Sequence, residues 1–409
     1  MQNPKRYETA LVVLMFLTWG TVFLDRMSLL YLAPFIVPDL HLSHQQVGLL
    51  ASALALAWAF SSLLFGAASD RMGRRPILIP AVFAFSILSW ISGIARSFGQ
   101  LLVTRTLMGA AEGPTWSTIT ATVEESSMPE RRGRNVGIVV SAAALVGHVV
   151  APVLTTQVGA RFGWRVAFFV AGIPGIILGL FLWKFIRESK DGGGISSHKI
   201  RFADYLPLLR YRNVLLCCLA SAGFMTWLWV MHAFAPLYIT EVSHHSATFA
   251  GLVLSASGAG EFLWGLIFPW ISDWSGRKPV LLFLALISAV VPLTYQMPFL
   301  ISHPWLMALA GFVANGGQGM AALVLVLIPT ESVSPRFAGT VIGLSTLVGE
   351  IFGGTLAPTI SGTLADRHGL AAPLWIAAGG ALVVFIAGLF MRETAPSRIS
   401  AAAARAQAA

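Results

Sequence analysis

Charge is what this chain has least of. Only 11% of its 409 residues are Asp, Glu, Lys or Arg, against about 25% in a soluble domain. Hydrophobic residues make up 56% and the mean hydropathy is +0.75. These values exclude a water-soluble globule and indicate a polytopic membrane protein. Cysteine is almost absent: Cys217 and Cys218 are adjacent in one apolar run, so they cannot staple distant parts of a fold, and they carry no information about redox compartment. The glycines at 192–194 lack a following Lys-Ser/Thr, so they are not a phosphate loop. No metal-ligand cluster or catalytic triad is apparent. An enzyme and an ATP-driven pump are therefore not expected, and neither is a cofactor or metal. The first apolar run is too long and too charged for a cleavable signal peptide.

What is present is length of apolar chain. Runs of about 20 residues, enough to cross the hydrocarbon, occur twelve times, near 9–36, 44–67, 76–95, 98–123, 134–158, 163–186, 213–238, 246–271, 278–298, 303–328, 337–363 and 371–391. Ser43 followed by Gln46 predicts a capping box opening the second. With both termini cytoplasmic, 21 of the 27 Lys and Arg residues fall in inner loops, four in outer loops, and two, Arg26 and Arg105, inside spans. That bias fixes orientation by the positive-inside rule. It also accounts for the net charge of +9 without a nucleic-acid partner. The lipid bilayer is the expected environment and a monomer the expected state.

The chain repeats itself. Asp70, Gly73, Arg74 and Arg75 of GAASDRMGRR return as Asp273, Gly276, Arg277 and Lys278 at an offset of 203. Pro129, Gly133, Gly137, Gly147 and Pro152 return as Pro335, Gly339, Gly343, Gly353 and Pro358 at an offset of 206. Two parallel six-helix bundles are predicted, over 1–187 and 213–409. A cytoplasmic linker with a short interfacial helix would lie at 188–212, and a disordered or frayed-helix tail after Pro396. Parallel repeats place a binding site at their interface near the bilayer midplane.

Ionisable residues inside spans are expensive and mark ligand or proton paths. Asp25 and Arg26 fall in the first span. Arg105 and Glu112, in the fourth, are seven residues apart and so share one helix face. An internal salt-bridge network is the structural alternative. A guanidinium offers a planar fork to a carboxylate, and a carboxyl removed from water can exchange protons near neutral pH. Glu261 and Glu350 are the in-span acids of the second half, either proton sites or carboxyls satisfied by packing. Asn315 and Gln318 share a face of the tenth span and could bind hydroxyls or tie helices together. Tyr31 could reach a ligand, and Trp116, Trp227 and Trp229 could wall an aromatic one. His148 and His232 read as packed histidines. Asp70, Arg71, Gly73, Arg74 and Arg75, with Asp273, Arg277 and Lys278, read as gating or structural latches remote from substrate.

The loop GAASDRMGRR and its echo PWISDWSGRK resemble the signature loop of the major facilitator superfamily, and GWRVAFFVAG at 163–172 is similar to the start of that superfamily's sixth span. Within it, FLDRMSL and RTLMGAAEGP resemble the anion:cation symporter group, which includes bacterial sugar-acid and aromatic-acid carriers and sialin-like proteins. The resemblance implies an all-α fold of twelve transmembrane helices in two pseudo-symmetric six-helix bundles. It implies proton coupling at Asp25 and Glu112, binding of a substrate carboxylate at Arg26, and an interaction of Arg105 with Glu112. Many members carry Asn where this chain has Ser28.

The function expected is proton-coupled symport of a small organic anion, with the proton gradient as energy source, in the bacterial inner membrane. The excess of in-span carboxylates motivates one alternative, a proton-coupled exporter of cationic or lipophilic compounds. A ligand-binding receptor on a transporter fold is another.

Overall fold

The computed structural model describes residues 4–186, 206–334 and 337–399, and all regular structure among them is helical. Twelve long segments make up most of it: α1 Pro4–Leu40, α2 His44–Met72, α3 Arg75–Gly93, α4 Phe98–Ser126, α5 Pro129–Phe162, α6 Trp164–Phe185, α7 Arg212–Val242, α8 Ala247–Ser275, α9 Arg277–Thr294, α10 Pro304–Glu331, α11 Ala338–His368 and α12 Ala371–Phe390. Ten of them are long and apolar enough to cross a membrane. α2 and α4 stand outside that set but have 29 residues each, about 44 Å at 1.5 Å per residue. α4 is polar for a span, because Arg105, Glu112 and a series of threonines and serines interrupt its apolar residues. The outward surface carries large apolar side chains such as Phe60, Leu64, Trp183, Trp270 and Trp375, as a lipid-facing surface requires.

Contacts divide the chain into two units. The first is Met1–Ser197 with His244–Ser255, and the second is His198–Ser243 with Ala256–Ala409. The first is built on a core of Met15, Trp19 and Val22 from α1, Leu54 from α2, Leu78, Val82 and Phe85 from α3, and Met108 and Ile119 from α4. In the second, Leu208, Val214, Cys218, Val341 and Leu344 form one apolar cluster. Both cysteines there are buried and free. The predicted linker lies mostly outside the described residues; its end, Leu206–Arg210, is a 3-10 turn. Pro335 of the repeat and the tail from 400 also lie outside them. The first turn of the tail is ordered, contrary to a frayed end: Arg398 donates to the Ser275 carbonyl (2.9 and 3.1 Å) and Ser397 to that of Asp273.

Local sequence explains the helix ends and interruptions. The capping box at α2 forms as expected: Ser43 Oγ accepts the Gln46 N–H at 3.1 Å and Gln46 Oε1 accepts the Ser43 N–H at 3.0 Å. Four π-helical stretches each adjoin a proline. They are Ala143–Val150 before Pro152, Tyr238–Val242 after Pro236, Ala322–Leu327 before Pro329, and Glu350–Leu356 before Pro358. Proline lacks the N–H its turn needs, and the ladder slips to the wider π register beside it. α10 is fully broken. Asn315 has extended dihedrals (φ −87°, ψ 98°), and the helix resumes at Gly317.

Close packing brings α4 onto α2. Gly109 and Gly113 are four apart on one face, the small-xxx-small arrangement that lets membrane helices approach. A Cβ on Gly109 would collide with the Leu54 carbonyl, and one on Gly113 would lie 2.6 Å from the Ser61 Cβ. Ser61 Oγ donates to the Ala110 carbonyl at 2.5 Å. Gly133 has nothing within 4 Å of such a Cβ. Gly109→Ala should therefore destabilise by about 1–3 kcal/mol, read as a lower unfolding midpoint in detergent. Gly133→Ala should be neutral or gain up to about 1 kcal/mol from helix propensity. Equal midpoints for the two variants would contradict the packing account.

Candidate functional site

The four in-span charges of the first unit come together. Asp25 and Glu112 are fully buried, and Arg105 and Arg26 are 1% and 4% exposed. Asp25 has Glu112 and Arg105 as its charged neighbours, and Glu112 has Arg26 and Arg105. α1 carries two of the charges and α4 the other two.

The bonds seen at Arg105 are not those of the simple salt-bridge network that is the structural alternative. Arg105 Nη2 donates to the Arg26 carbonyl at 2.7 Å, Nη1 lies 3.4 Å from the Asp25 carbonyl, and Nη1 also contacts Met108 Sδ at 2.9 Å. Its fork grips the backbone of α1, not the Glu112 carboxylate. The Ser89 hydroxyl stands beside Asp25, yet it donates to the Phe168 carbonyl at 3.1 Å. No carboxylate oxygen of Asp25 or Glu112 accepts a hydrogen bond from the described residues. Two buried acids without donors are energetically dear, and their charge is balanced only through the nearby guanidiniums. Arg26 lies over aromatic faces, 5.3 Å from the Trp58 ring centroid and 5.9 Å from that of Phe23, within the cation–π range. Tyr31 is buried in α1.

Beside this cluster the first unit holds a run of rings. Phe23 meets Trp19 at 5.1 Å and His148 at 6.1 Å, both edge-on, and Trp19 meets Trp116 at 5.0 Å. His148 sits in the π stretch of α5, where Gly147 allows close approach to the Phe23 Cβ.

In the second unit the candidates gather at the break in α10. Asn315 Nδ2 donates to the Ser257 carbonyl (3.1 Å) and hydroxyl (2.9 Å), and Asn315 Oδ1 accepts the Gly317 N–H at 3.0 Å. Ser288 Oγ accepts the Gly316 N–H at 3.0 Å, and the Ser288 carbonyl accepts the Trp227 indole at 2.9 Å. Side chains thus take over hydrogen bonding that the broken backbone loses. Gln318 Nε2 donates to Glu261 Oε1 at 3.2 Å. Glu350 is buried at the head of its π stretch, with Gly354 packed against its carboxylate. His232 Nδ1 is 2.8 Å from the Leu228 carbonyl.

The repeated loops form matching latches, one in each unit. Arg74 pairs with Glu125 at 3.0 Å and donates to Ser69 Oγ at 2.8 Å. Arg277 pairs with Glu331 at 2.8 Å and Asp273 at 2.6 Å, and donates to Ser272 Oγ at 2.6 Å. Arg75 and Lys278 cap the carbonyls of Trp183 (2.6 Å) and Leu389 (2.7 Å). The side chains of Asp70 and Arg71 lie outside the described residues. Gly73 and Gly276 occupy positive φ (95° and 109°), where a Cβ is strained. The partners Glu125 and Glu331, with Ser69 and Ser272, escaped sequence reasoning, although the same offsets of 206 and 203 relate them. The Glu393 carboxylate accepts the N–H groups of Arg277 (2.7 Å) and Lys278 (3.2 Å), where the α9 dipole favours an anion.

Because Arg105 works as a planar fork on α1 carbonyls, Arg105→Lys should lose that geometry while keeping the charge. A loss of about 1.5–3 kcal/mol is expected, seen as a lower unfolding midpoint without added ligand. An unchanged midpoint would show that the α1 carbonyl contacts contribute nothing.

Known proteins share this architecture. The family model described as Major Facilitator Superfamily matches residues 14–354. The chain is 27% identical over 405 residues to a hexuronate transporter of Bacillus subtilis (strain 168), covering 94% of each. It is 25% identical over 388 residues to the sialic acid transporter NanX of Escherichia coli (strain K12), covering 91% of this chain and 93% of that one. Among solved structures, a bacterial homologue of the human lysosomal transporter Spinster, in an inward-facing and occupied conformation, aligns with a TM-score of 0.73 at 20% identity, covering 95% of this chain and 97% of the other. These relatives are membrane transporters of organic acids where their names specify a cargo, and none is an enzyme. The resemblance noted in the signature loops and in α1 and α4 thus extends over nearly the whole chain: it is a multi-pass membrane protein with the all-α transporter fold, and it belongs to the Major Facilitator Superfamily.

Proposed function

We propose that this chain is a secondary active transporter that carries a small organic anion together with protons, by alternating access. The observation that carries the reading is the buried group of Asp25, Arg26, Arg105 and Glu112, in which neither acid accepts a hydrogen bond from the described residues. Arg26 is the carboxylate anchor. Arg105, gripping two α1 carbonyls, is a positioning residue that fixes Asp25 and Arg26. Asp25 and Glu112 are the proton carriers.

The coupling follows from shared counter-charge. Glu112 is balanced by Arg26 and Arg105. An incoming carboxylate engages Arg26, so Glu112 loses part of that balance. In a low dielectric an unbalanced carboxylate is unfavourable by several kcal/mol, and taking up a proton removes the charge. Anion and proton then travel together. The hexuronate and sialic acid cargo of the relatives supports an organic acid as substrate. The same reading places the chain as a monomer in the inner (plasma) membrane with both termini cytoplasmic, driven by the proton gradient.

Purified protein in liposomes with a trapped pH dye tests this. External carboxylate should acidify the interior. Asp25→Asn and Glu112→Gln should abolish the proton signal, and Arg26→Ala should weaken anion binding by about a hundredfold, the scale of a lost charge-assisted pair. Alkalinisation by an organic cation, with no response to carboxylates, would instead establish the exporter and move attention to Glu261 and Glu350.

A further inference from the structure

We propose that the corner where α3 turns into α4 holds one anionic phospholipid, with its phosphate on Arg96 and an acyl chain along the groove between the two helices. The groove has a volume of about 810 Å³ and is lined by the end of α3, the 94–97 connection and the start of α4, a size in the range of ligand pockets. Its walls are apolar and face outward: Ile91 and Ile94 on α3 and Val103 on α4 are exposed. Ile87 and Leu107, one turn further along each helix, are exposed too. The row from Ile87 to Ile94 is about 10 Å long at 1.5 Å per residue, most of the depth of one hydrocarbon leaflet of about 15 Å. In a membrane protein such a surface meets acyl chains and not water. A Cβ on Gly99 would meet nothing within 4 Å, so the groove is open at its mouth.

The charge at that mouth is positive. Arg96 is exposed and lines the groove, and no lining residue is acidic. Gln100 Oε1 accepts the Arg96 backbone N–H at 2.7 Å, which leaves the Gln100 amide nitrogen as a further donor. The frame is held from several sides. The Gln100 N–H donates to Ser97 Oγ at 3.3 Å, the Thr104 hydroxyl donates to the Gln100 carbonyl at 2.7 Å, and Arg165 Nη2 lies 3.5 Å from the Ala95 carbonyl. Arg165 is itself paired with Asp39 at 2.8 Å, so the acid of this corner is already matched. A phosphate at Arg96 therefore gains a charge-assisted contact without a competing carboxylate. A zwitterionic headgroup gains less, because its ammonium finds no acid on the lining.

Photocrosslinking to the purified full chain in detergent tests the assignment site by site. The probes are a phosphatidylglycerol and a phosphatidylcholine that carry the same diazirine-labelled acyl chain, with adducts mapped by peptide mass spectrometry. At subsaturating lipid, phosphatidylglycerol should label residues 87–107 about fivefold more than phosphatidylcholine, the scale of one arginine facing an anionic lipid. Arg96→Ala should remove that preference and leave phosphatidylcholine labelling unchanged. Arg161→Ala, at an exposed arginine outside the groove, should leave both yields as they are. Gly99→Leu, which fills the mouth, should lower both, with the unfolding midpoint recorded in parallel. Equal labelling by the two lipids, an equal loss in Arg96→Ala and Arg161→Ala, or no adduct within 87–107 would overturn the proposal. A dimer that shields 87–107 from both probes would assign the groove to a second copy of the chain and overturn it as well.

Discussion

Charge held away from water is the constraint on which the first unit depends. Four ionisable groups in two membrane helices need each other or the backbone, since lipid offers neither ions nor hydrogen bonds. The geometry answers this unevenly. Arg105 is anchored on α1 carbonyls, Arg26 lies against two aromatic faces, and the two acids have counter-charges nearby but no donors among the described residues. That unevenness separates a fixed part from an exchangeable one. A fully satisfied network would be rigid glue; in the function proposed above, this one keeps two carboxylates whose charge is balanced by a group that a substrate also engages.

The close approach that makes this possible is written in small residues. Gly109 and Gly113 bring α4 against α2, and Gly147 brings α5 against Phe23 of α1. Both units reuse the frame: the Arg74–Ser69–Glu125 latch has its counterpart in Arg277–Ser272–Glu331. The interiors diverge. The first unit holds two arginines and two acids, whereas the second puts Asn315, Gln318, Ser257 and Glu261 around a broken helix. The duplicated walls thus enclose different interiors: paired arginines and acids in one half, and amides, hydroxyls and the acids Glu261 and Glu350 in the other.

Much of this was legible in the sequence because bilayers impose simple rules. Twelve apolar runs, the Lys and Arg bias, the 203 and 206 offsets and the Asp25–Arg26 and Arg105–Glu112 pairs all follow from span length, charge cost and helical spacing. What escaped depends on where a long side chain ends or how a backbone yields. Spacing put Arg105 and Glu112 on one face, but nothing in it says that the Arg105 fork turns to carbonyls of α1. The glycines around Asn315 permit a kink; the complete break, with Asn315 and Ser288 capping it, emerges only from packing against α8 and α9. Prolines marked the sites of π-helical slippage, yet a proline equally permits a plain kink.

The central claim is that anion binding and protonation are one event. Proton exchange can be measured directly by adding a carboxylate to purified protein in weakly buffered detergent solution and recording pH. Linkage requires that an anion whose binding draws in protons binds tighter as pH falls. The account predicts proton uptake that saturates with anion binding and disappears in Glu112→Gln. Saturable anion binding with no proton uptake, or with proton release, would contradict it.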